Sequence, residues 1–293
     1  MAFEPGNPSA TPPMRWAGKG FGFDFPRPAM VMGVLNVTPD SFSDGGHFTD
    51  VSRAIEHSRQ MVADGAEIID VGGESTRPDA EPVSEAEELR RVIPVIEALR
   101  NEPGMLVSID TQKPAVAAAA LAAGAVIVND IAANRDDPAM WERVAEAGAG
   151  YLAMHMQGTP QSMQQGPQYG DVLAEVEAFF TERMKRFRTA GIHDEQIAFD
   201  VGIGFGKTLD HNLTLLAGLK RFTKFKRPQV LGVSRKSLFG KLLGLEVDER
   251  LAPGLACAVW AIGNGVQLLR VHDVKPTVNA LRMAEAIFDR ARE

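Results

Sequence analysis

The segment VMGVLN at Val31–Asn36 is a short apolar run that ends in a polar residue, and runs of this form recur along the chain. Apolar runs of about four to eight residues, bounded by turn residues, are typical of strands that are buried on both faces. Working outward from the first run, the pattern predicts eight strands, at Val31–Asn36, Glu67–Val71, Leu106–Asp110, Val126–Asn129, Tyr151–Met156, Ile197–Asp200, Val230–Ser234 and Leu268–His272.

Amphipathic patterns with recognisable ends separate these runs and predict helices. Asp50 is expected to be the N-cap of the first helix, and Gly65 is expected to close it. Ser84 and Glu87 have the spacing of a capping box, and Asp210 is expected to cap a later helix. Buried strands that alternate with helices indicate an α/β fold with a parallel sheet.

Eight strand–helix units favour a single closed (β/α)8 TIM barrel, which we assign to residues 29–293, over a doubly wound open sheet. The open sheet is the structural alternative. Residues 1–28 are predicted to be a short N-terminal extension that is partly disordered, because its first dozen residues are rich in Pro, Gly, Ser and Ala.

The composition limits the classes of partner. The chain has 293 residues, a net charge of -7 and one cysteine, Cys257, which excludes an intrachain disulfide and is expected to be a core residue. The acidic balance argues against a nucleic acid or an anionic membrane as partner, because both favour a basic surface. Neither a membrane-spanning apolar run nor a secretory signal is recognised, so the predicted location is the cytoplasm.

Polar residues stand at or just beyond the carboxyl end of every predicted strand, where barrels of this kind have their active sites. A single Asp, Asn or Ser at this position often only caps the next helix. Capping does not require Arg, Lys and His at the same rim, so the set as a whole predicts a ligand site. Its members are Asn36, Asp70, Glu74, Thr76, Arg77, Asp110, Asn129, Asp130, His155, Asp200, Ser234, Arg235, Lys236, Arg270, His272 and Asp273.

The mixture of side chains indicates what kind of ligand this rim would bind. Carboxylates such as Asp110 and Asp200 suit a heterocycle with several N–H donors, whereas Lys236 and Arg270 suit an anion. A heterocycle that carries a phosphate would use both sets. The glycines before Lys207 could form a phosphate loop, but a tight turn explains them equally well, and no histidine spacing indicates a zinc site.

Eight motifs in order closely resemble the dihydropteroate synthase family, a group of pterin-binding TIM barrels. They are MGVLNVTPDSFSDGG (Met32–Gly46), DVGGESTRP (Asp70–Pro78), IDTQKP (Ile109–Pro114), VNDI (Val128–Ile131), MHMQG (Met154–Gly158), GFGK (Gly204–Lys207), SRKS (Ser234–Ser237) and RVHDV (Arg270–Val274). The resemblance runs from about Met32 to the C-terminal helix. One departure is Val201, where the family usually has Pro.

The resemblance implies that the chain condenses 6-hydroxymethyl-7,8-dihydropterin pyrophosphate with p-aminobenzoate, giving 7,8-dihydropteroate and pyrophosphate in folate biosynthesis. It implies Mg²⁺ as cofactor, with Asn36 as its ligand, and sulfonamides as inhibitors. Catalysis would fall to Asp110 and Lys236. The pterin pyrophosphate would contact Thr76, Asp110, Asn129, Met154, Asp200, Phe205, Gly232, Lys236, Arg270 and His272. The aminobenzoate would contact Thr76, Pro78, Phe205, Lys236 and Ser237.

Two alternatives belong to the same barrel group. A methyltetrahydrofolate methyltransferase would keep the pterin-binding residues but would have no use for a pyrophosphate cradle. An inactive pterin-binding paralogue would most simply have lost Asp110, Lys236 or Arg270, all of which are present. Family members are often homodimers, so a homodimer is also expected.

Overall fold

The computed structural model describes residues 14–37, 46–75, 81–133 and 135–291, and ten strands and nine α-helices lie in these ranges. The strands are β1 (Met14–Gly18), β2 (Phe21–Phe25), β3 (Met30–Asn36), β4 (Ile68–Gly72), β5 (Leu106–Asp110), β6 (Ile127–Asp130), β7 (Gly150–Met154), β8 (Ile197–Asp200), β9 (Gln229–Leu231) and β10 (Leu268–Val271). The α-helices are α1 (Gly46–Ala63), α2 (Glu85–Leu99), α3 (Pro114–Ala123), α4 (Ala139–Ala147), α5 (Val172–Thr189), α6 (Leu209–Ala217), α7 (Ser237–Leu243), α8 (Leu251–Gly263) and α9 (Val274–Arg290).

Strands β3 to β10 close into a barrel in which every neighbouring pair is parallel and the last strand, β10, pairs with β3. The predicted TIM barrel is therefore confirmed, and the open-sheet alternative is wrong. Two of the predicted strands, Leu106–Asp110 and Ile197–Asp200, have the predicted bounds. Strand β9 ends three residues before the predicted end at Ser234, because the chain turns there into the loop that carries Lys236.

Two predicted helix starts are wrong. Helix α1 begins at Gly46, so Asp50 lies inside it and is not its N-cap. The N-cap of α6 is Thr208, whose side-chain oxygen accepts a hydrogen bond from the backbone N–H of His211, and Asp210 lies in the first turn. The N-cap at Ser84 is confirmed, because its hydroxyl accepts from the N–H of Glu87 at 3.3 Å.

An antiparallel hairpin of β1 and β2 closes the amino-terminal end of the barrel. Trp16 is fully buried beneath the barrel interior, and its indole N–H donates to the carbonyl of Gln196 at 3.0 Å. The hairpin runs close to β7: a Cβ added at Gly18 would stand 2.7 Å from the backbone nitrogen of Gly150. No role for residues 1–28 was predicted, and these contacts supply one for the described part of that extension.

Candidate active site

The alternation of side chains along each barrel strand divides the interior into an apolar floor and a polar mouth. Residues two apart on a strand face the same side. The inward-facing residues near the amino ends are apolar, as in Met32, Ile68, Ile127, Ala198 and Leu268, and they pack with the hairpin. Two residues further along the same strands, the inward positions of four of them are polar and hold Asp70, Asn129, Asp200 and Arg270.

Arg270, on β10, lies at the centre of the mouth and donates hydrogen bonds to carboxylates on β4 and β5. Its Nε donates to Asp70 Oδ2 and its Nη2 donates to Asp110 Oδ2, both at 2.6 Å. Asp70 Oδ2 also accepts from Asn129 Nδ2 at 2.9 Å. The pair of carboxylates and the carboxamide are thus held in one network by a single guanidinium. The sequence placed Asp70 on the rim but gave it no role, and this network shows that it orients Asn129 and Arg270.

In this network, burial and the neighbouring charges shift the pKa values of the buried groups in opposite directions. Burial raises the pKa of the Asp110 carboxyl, and the Arg270 guanidinium opposes that rise. The two carboxylates outweigh the burial of Arg270 and raise its pKa above the usual range. We conclude that Arg270 is a permanent cation whose contact favours the ionised form of Asp110.

Asp200 ends β8 and lies buried beside a space that is open because residue 232 is a glycine. Its Oδ1 accepts a hydrogen bond from the N–H of Gly202 at 2.7 Å, and burial raises the pKa of its carboxyl. A Cβ added at Gly232 would lie 3.7 Å from the other carboxylate oxygen, Oδ2. The absence of a side chain at 232 therefore leaves room for a flat ligand against this oxygen.

Lys236 reaches the same space from the loop between β9 and α7. Its Nζ lies 4.0 Å from the centroid of the Phe205 ring, within the range of a cation–π contact. Burial lowers the pKa of Lys236 to about 8, while Asp200 and Asp110 oppose the shift. A partly desolvated ammonium over an aromatic face can bind an electron-rich heterocycle and can also stabilise nearby negative charge.

His272 follows β10 at the outer part of the mouth. Its Nδ1 lies 3.0 Å from Ser234 Oγ, which also accepts from the backbone N–H of His272 at 3.2 Å. Burial, followed by the charge of Arg270, lowers the pKa of His272 to about 4. The imidazole is therefore neutral near pH 7.

One wall of the pocket is apolar and includes three methionines. The cluster consists of Ile131, Ala132, Met154, Met156, Met163 and Phe205. Met154 and Phe205 were expected here from the resemblance. Met163 was missed, because it belongs to the Gln-rich segment after β7, whose sequence has no periodic pattern to predict its packing.

The structure also separates residues that the sequence had grouped. Asp130 adjoins Asn129 but faces away from the mouth, where it accepts from the Tyr151 hydroxyl at 2.7 Å. His155 packs against Phe179 outside the pocket, with ring centroids 4.8 Å apart. Both were placed on the rim by position in sequence alone, because a strand end does not show which way its last side chain points.

The remaining predicted residues are only partly covered by the structure. Asn36 ends β3 and is exposed at the mouth, and Ser237 begins α7 directly after Lys236. Thr76 and Pro78 lie outside the described residues. The described residues on the two sides of that segment contact each other, because the Glu74 carboxylate accepts a hydrogen bond from the N–H of Val83 at 3.1 Å.

The described residues contain no group of three or more His, Cys, Asp or Glu side chains that could hold a metal ion. Within the same ranges, no helix is both long enough and apolar enough to cross a membrane.

Comparison with known proteins gives a consistent result. A family model described as "Pterin binding enzyme" matches residues 32–272. The dihydropteroate synthase of Escherichia coli (strain K12) is 49% identical over 273 residues, which make up 93% of this chain and 96% of that protein.

Two solved structures agree with this match. The Yersinia pestis dihydropteroate synthase in a sulfonamide drug complex has a TM-score of 0.87 and 44% identity, covering 94% of this chain and 100% of that one. The Xanthomonas albilineans dihydropteroate synthase with 4-aminobenzoic acid has a TM-score of 0.86 and 43% identity, covering 94% of this chain and 98% of that one. The chain therefore belongs to the pterin-binding enzyme family and, within it, to the dihydropteroate synthases.

Proposed function

We propose that this site binds 6-hydroxymethyl-7,8-dihydropterin pyrophosphate, joins its methylene carbon to the amino nitrogen of p-aminobenzoate, and releases pyrophosphate. The observation that carries the proposal is the juxtaposition of two different sets of groups. Hydrogen-bond acceptors that suit a heterocycle lie deep in the mouth, on Asp110, Asn129 and Asp200. Cations that suit an anion, Lys236 and Arg270, lie among and above these acceptors. The substrate has both of these parts.

The pterin fits the deep part of the pocket. Asp200 has Oδ2 beside the open space at Gly232, where it can accept two parallel N–H bonds from the amino-pyrimidinone edge together with its partly used Oδ1. Asn129 donates its Nδ2 to Asp70, so its amide oxygen is oriented to accept from the ligand. Phe205 and Met154 would then contact the faces of the ring system.

The reaction needs charge of both signs around the methylene carbon. The C–O bond breaks with its electron pair leaving on pyrophosphate, and the aniline nitrogen forms the C–N bond and then loses a proton. Asp110 supplies negative charge where the methylene becomes electron-poor, while Arg270 and Lys236 face the departing anion. The described residues of the pocket provide these charges without a covalent nucleophile.

A magnesium ion fits the donor set. A Cβ added at Gly72 would stand 3.9 Å from Asn36 Oδ1 and 3.8 Å from Asp110 Oδ2, so these two oxygens lie on either side of Gly72 at the same level of the mouth. Mg²⁺ is commonly held by one or two protein oxygens together with substrate phosphates and water. Asn36 would be its main protein ligand, and the bound ion would supply further neutralisation of the pyrophosphate.

Neither alternative reaction is favoured by a specific contact. A methyltetrahydrofolate methyltransferase would not need Arg270 and His272 at the mouth, and both are there. An inactive paralogue would be expected to lack part of the network, yet Asp110, Arg270 and Lys236 are all in place.

We expect purified protein to release pyrophosphate only when the pterin pyrophosphate, p-aminobenzoate and Mg²⁺ are all present. Coupled detection of pyrophosphate, with dihydropteroate identified by mass, checks this. A sulfonamide should raise the apparent KM for aminobenzoate, since the relative from Yersinia pestis was solved with such a drug. Methyl transfer from methyltetrahydrofolate without pyrophosphate release would refute the proposal.

We also propose that a bound pyrophosphate charges His272. The pKa of this imidazole is about 4 in the empty site, and a nearby anion raises it, so binding takes up a proton between the two pKa values. Affinity through this group therefore increases as pH falls from 7 towards 5. Calorimetry of pyrophosphate in two buffers of different ionisation enthalpy, at pH 6, should show more proton uptake by the wild type than by His272→Gln. Equal uptake would contradict it.

The predicted homodimer is supported by an exposed apolar face. Helix α8 is almost wholly apolar, yet only Ala258, Ala261 and Ile262 of its residues are buried. Leu251, its first residue, is exposed, and so are Leu242 and Leu243 at the end of α7. A second copy of the chain would cover this face, and sedimentation should show a dimer that Leu243→Glu dissociates. A monomer at micromolar concentration would overturn this assignment.

The predicted cytoplasmic location stays a prediction.

A further inference from the structure

Lys207 is a buried ammonium that the proposed reaction does not use. It is 1% exposed, and among the described residues no carboxylate lies within 4.0 Å of it. Its Nζ is instead surrounded by acceptors: the carbonyls of Gly202 and Phe205 at 2.9 Å, the carbonyl of His155 at 3.3 Å and His155 Nδ1 at 3.0 Å. Burying a charge in this way is costly unless its hydrogen bonds are fully used.

These contacts explain why the phosphate-loop interpretation of the glycines is wrong. The ammonium points into the protein and binds the carbonyls of the loop between β8 and α6, so it is not presented to a ligand. Gly202 has a φ of +70°, and a Cβ there would stand 1.9 Å from the carbonyl oxygen of His155. The glycines therefore permit a close approach of two backbone segments, which is the turn alternative.

Side chains from the segment after β7 hold the rest of this loop. Gln164 Nε2 donates to the carbonyl of Gly204 at 2.8 Å, and the Tyr169 hydroxyl donates to the carbonyl of Gly206 at 2.9 Å. Together with Lys207, they bind four of the five carbonyls from Gly202 to Gly206. So many side-chain hydrogen bonds to one short loop indicate that its conformation is important for the neighbouring site.

This loop contacts two residues of the proposed pterin site, Asp200 and Lys236. The N–H of Gly202 binds Asp200, and the ring of Phe205 lies against the ammonium of Lys236. We propose that Lys207 is a positioning residue, assisted by Gln164 and Tyr169, which sets the place of Phe205 and keeps Asp200 ionised for binding the pterin. This inference rests on the proposed function, because it concerns how the same pocket receives that substrate.

The charges around Asp200 make the second part of the inference testable. Asp200 is influenced by Lys207 from its own loop, by Lys236 from the loop after β9 and by Arg270 from β10, and all three cations favour its ionised form. Burial lowers the pKa of Lys207 to about 7, with Lys236 acting in the same direction and Asp200 opposing it, so the amine is charged near pH 6. His155 also faces it, with Nδ1 3.0 Å from the Lys207 Nζ. Removing the Lys207 ammonium should raise the pH at which Asp200 becomes protonated.

The test measures binding of 6-hydroxymethyl-7,8-dihydropterin, without pyrophosphate, by calorimetry from pH 5 to 8. In Lys207→Met, affinity should fall at least about ten-fold near pH 6, and its acid limb should move to higher pH. In Gln164→Leu and Tyr169→Phe, which change no nearby charge, affinity should fall about two- to ten-fold with the acid limb unmoved.

These outcomes separate positioning from a merely structural role. If Lys207→Met folds and binds the pterin with an unmoved acid limb, the inference is wrong. If that variant does not fold, Gln164→Leu and Tyr169→Phe decide, and wild-type pterin affinity in both would overturn it. Failure of the wild type to bind any pterin would instead refute the proposed function.

Discussion

Arg270→Met should be the most destabilising single change in the mouth of the barrel. The substitution leaves Asp70 and Asp110 buried without the guanidinium that contacts both at 2.6 Å, and Asp70 Oδ1 already has no hydrogen-bond partner among the described residues. Breaking a buried ion pair from one side typically costs about 3–5 kcal/mol. We expect a loss of this size in the free energy of unfolding near pH 7.5.

The loss should depend on pH in a definite direction. Without Arg270, burial holds the pKa of the Asp110 carboxyl above its value in the unfolded chain, so folding favours its protonated form. The variant should therefore recover part of its stability as pH falls from 7.5 to 5.5. Urea denaturation at both pH values measures this. Arg59→Met, which breaks an exposed pair with Glu102, is the control and should change the free energy of unfolding little at either pH, because solvent screens the pair. Equal losses in the two variants would contradict this interpretation of the network.

Asp200→Ala should weaken pterin binding by about 2–4 kcal/mol, which corresponds to roughly thirty- to a thousand-fold. The change removes the charged acceptor beside Gly232 and leaves the N–H groups of the ligand and of Gly202 without their partner. Calorimetric titration of the dihydropterin into each protein at pH 7.5 gives the two dissociation constants.

A matched control variant is available near the amino end of the same strand. Asp194 precedes β8 on the far side of the barrel, where its carboxylate pairs with Arg188 at 2.6 Å. Asp194→Ala removes the same group from the same part of the chain, yet it should leave pterin affinity within about two-fold, because surface pairs contribute at most about 1 kcal/mol and only to stability. A larger effect on binding from Asp194→Ala than from Asp200→Ala would refute the assignment of the pterin anchor.

Periodicity in the sequence was enough to predict the barrel and the level of its site. The apolar runs differ from turns in composition, and their number gives the topology, so the eight strands were placed within a few residues. The rim was predicted because parallel strands bring their carboxyl ends to one side. Side-chain direction was harder: Asp130 and Asn129 are neighbours in sequence, but the pleat sends them to opposite faces.

What the sequence could not predict depends on contacts between distant residues. Lys207 follows a glycine-rich turn and resembles a phosphate ligand, and only the fold shows that its ammonium is enclosed by carbonyls. The strands of the N-terminal hairpin are short and carry no strong pattern, and their stability comes from burial against the barrel, as with Trp16. Thr76 and Pro78 were inferred from resemblance alone, and that inference stays a prediction.

The hairpin beneath the barrel covers the amino-terminal end of the interior, so the described residues form a well that opens at the carboxyl ends of the strands. Trp16 and its neighbours fill the lower end, so both substrates and both products have to use the same mouth. Asp200 and Asn129 lie deep in this well, while Ser237 is exposed above them. We therefore expect the pterin to bind before the aminobenzoate, because a benzoate that bound first, above Asp200 and Asn129, would block the path of the pterin.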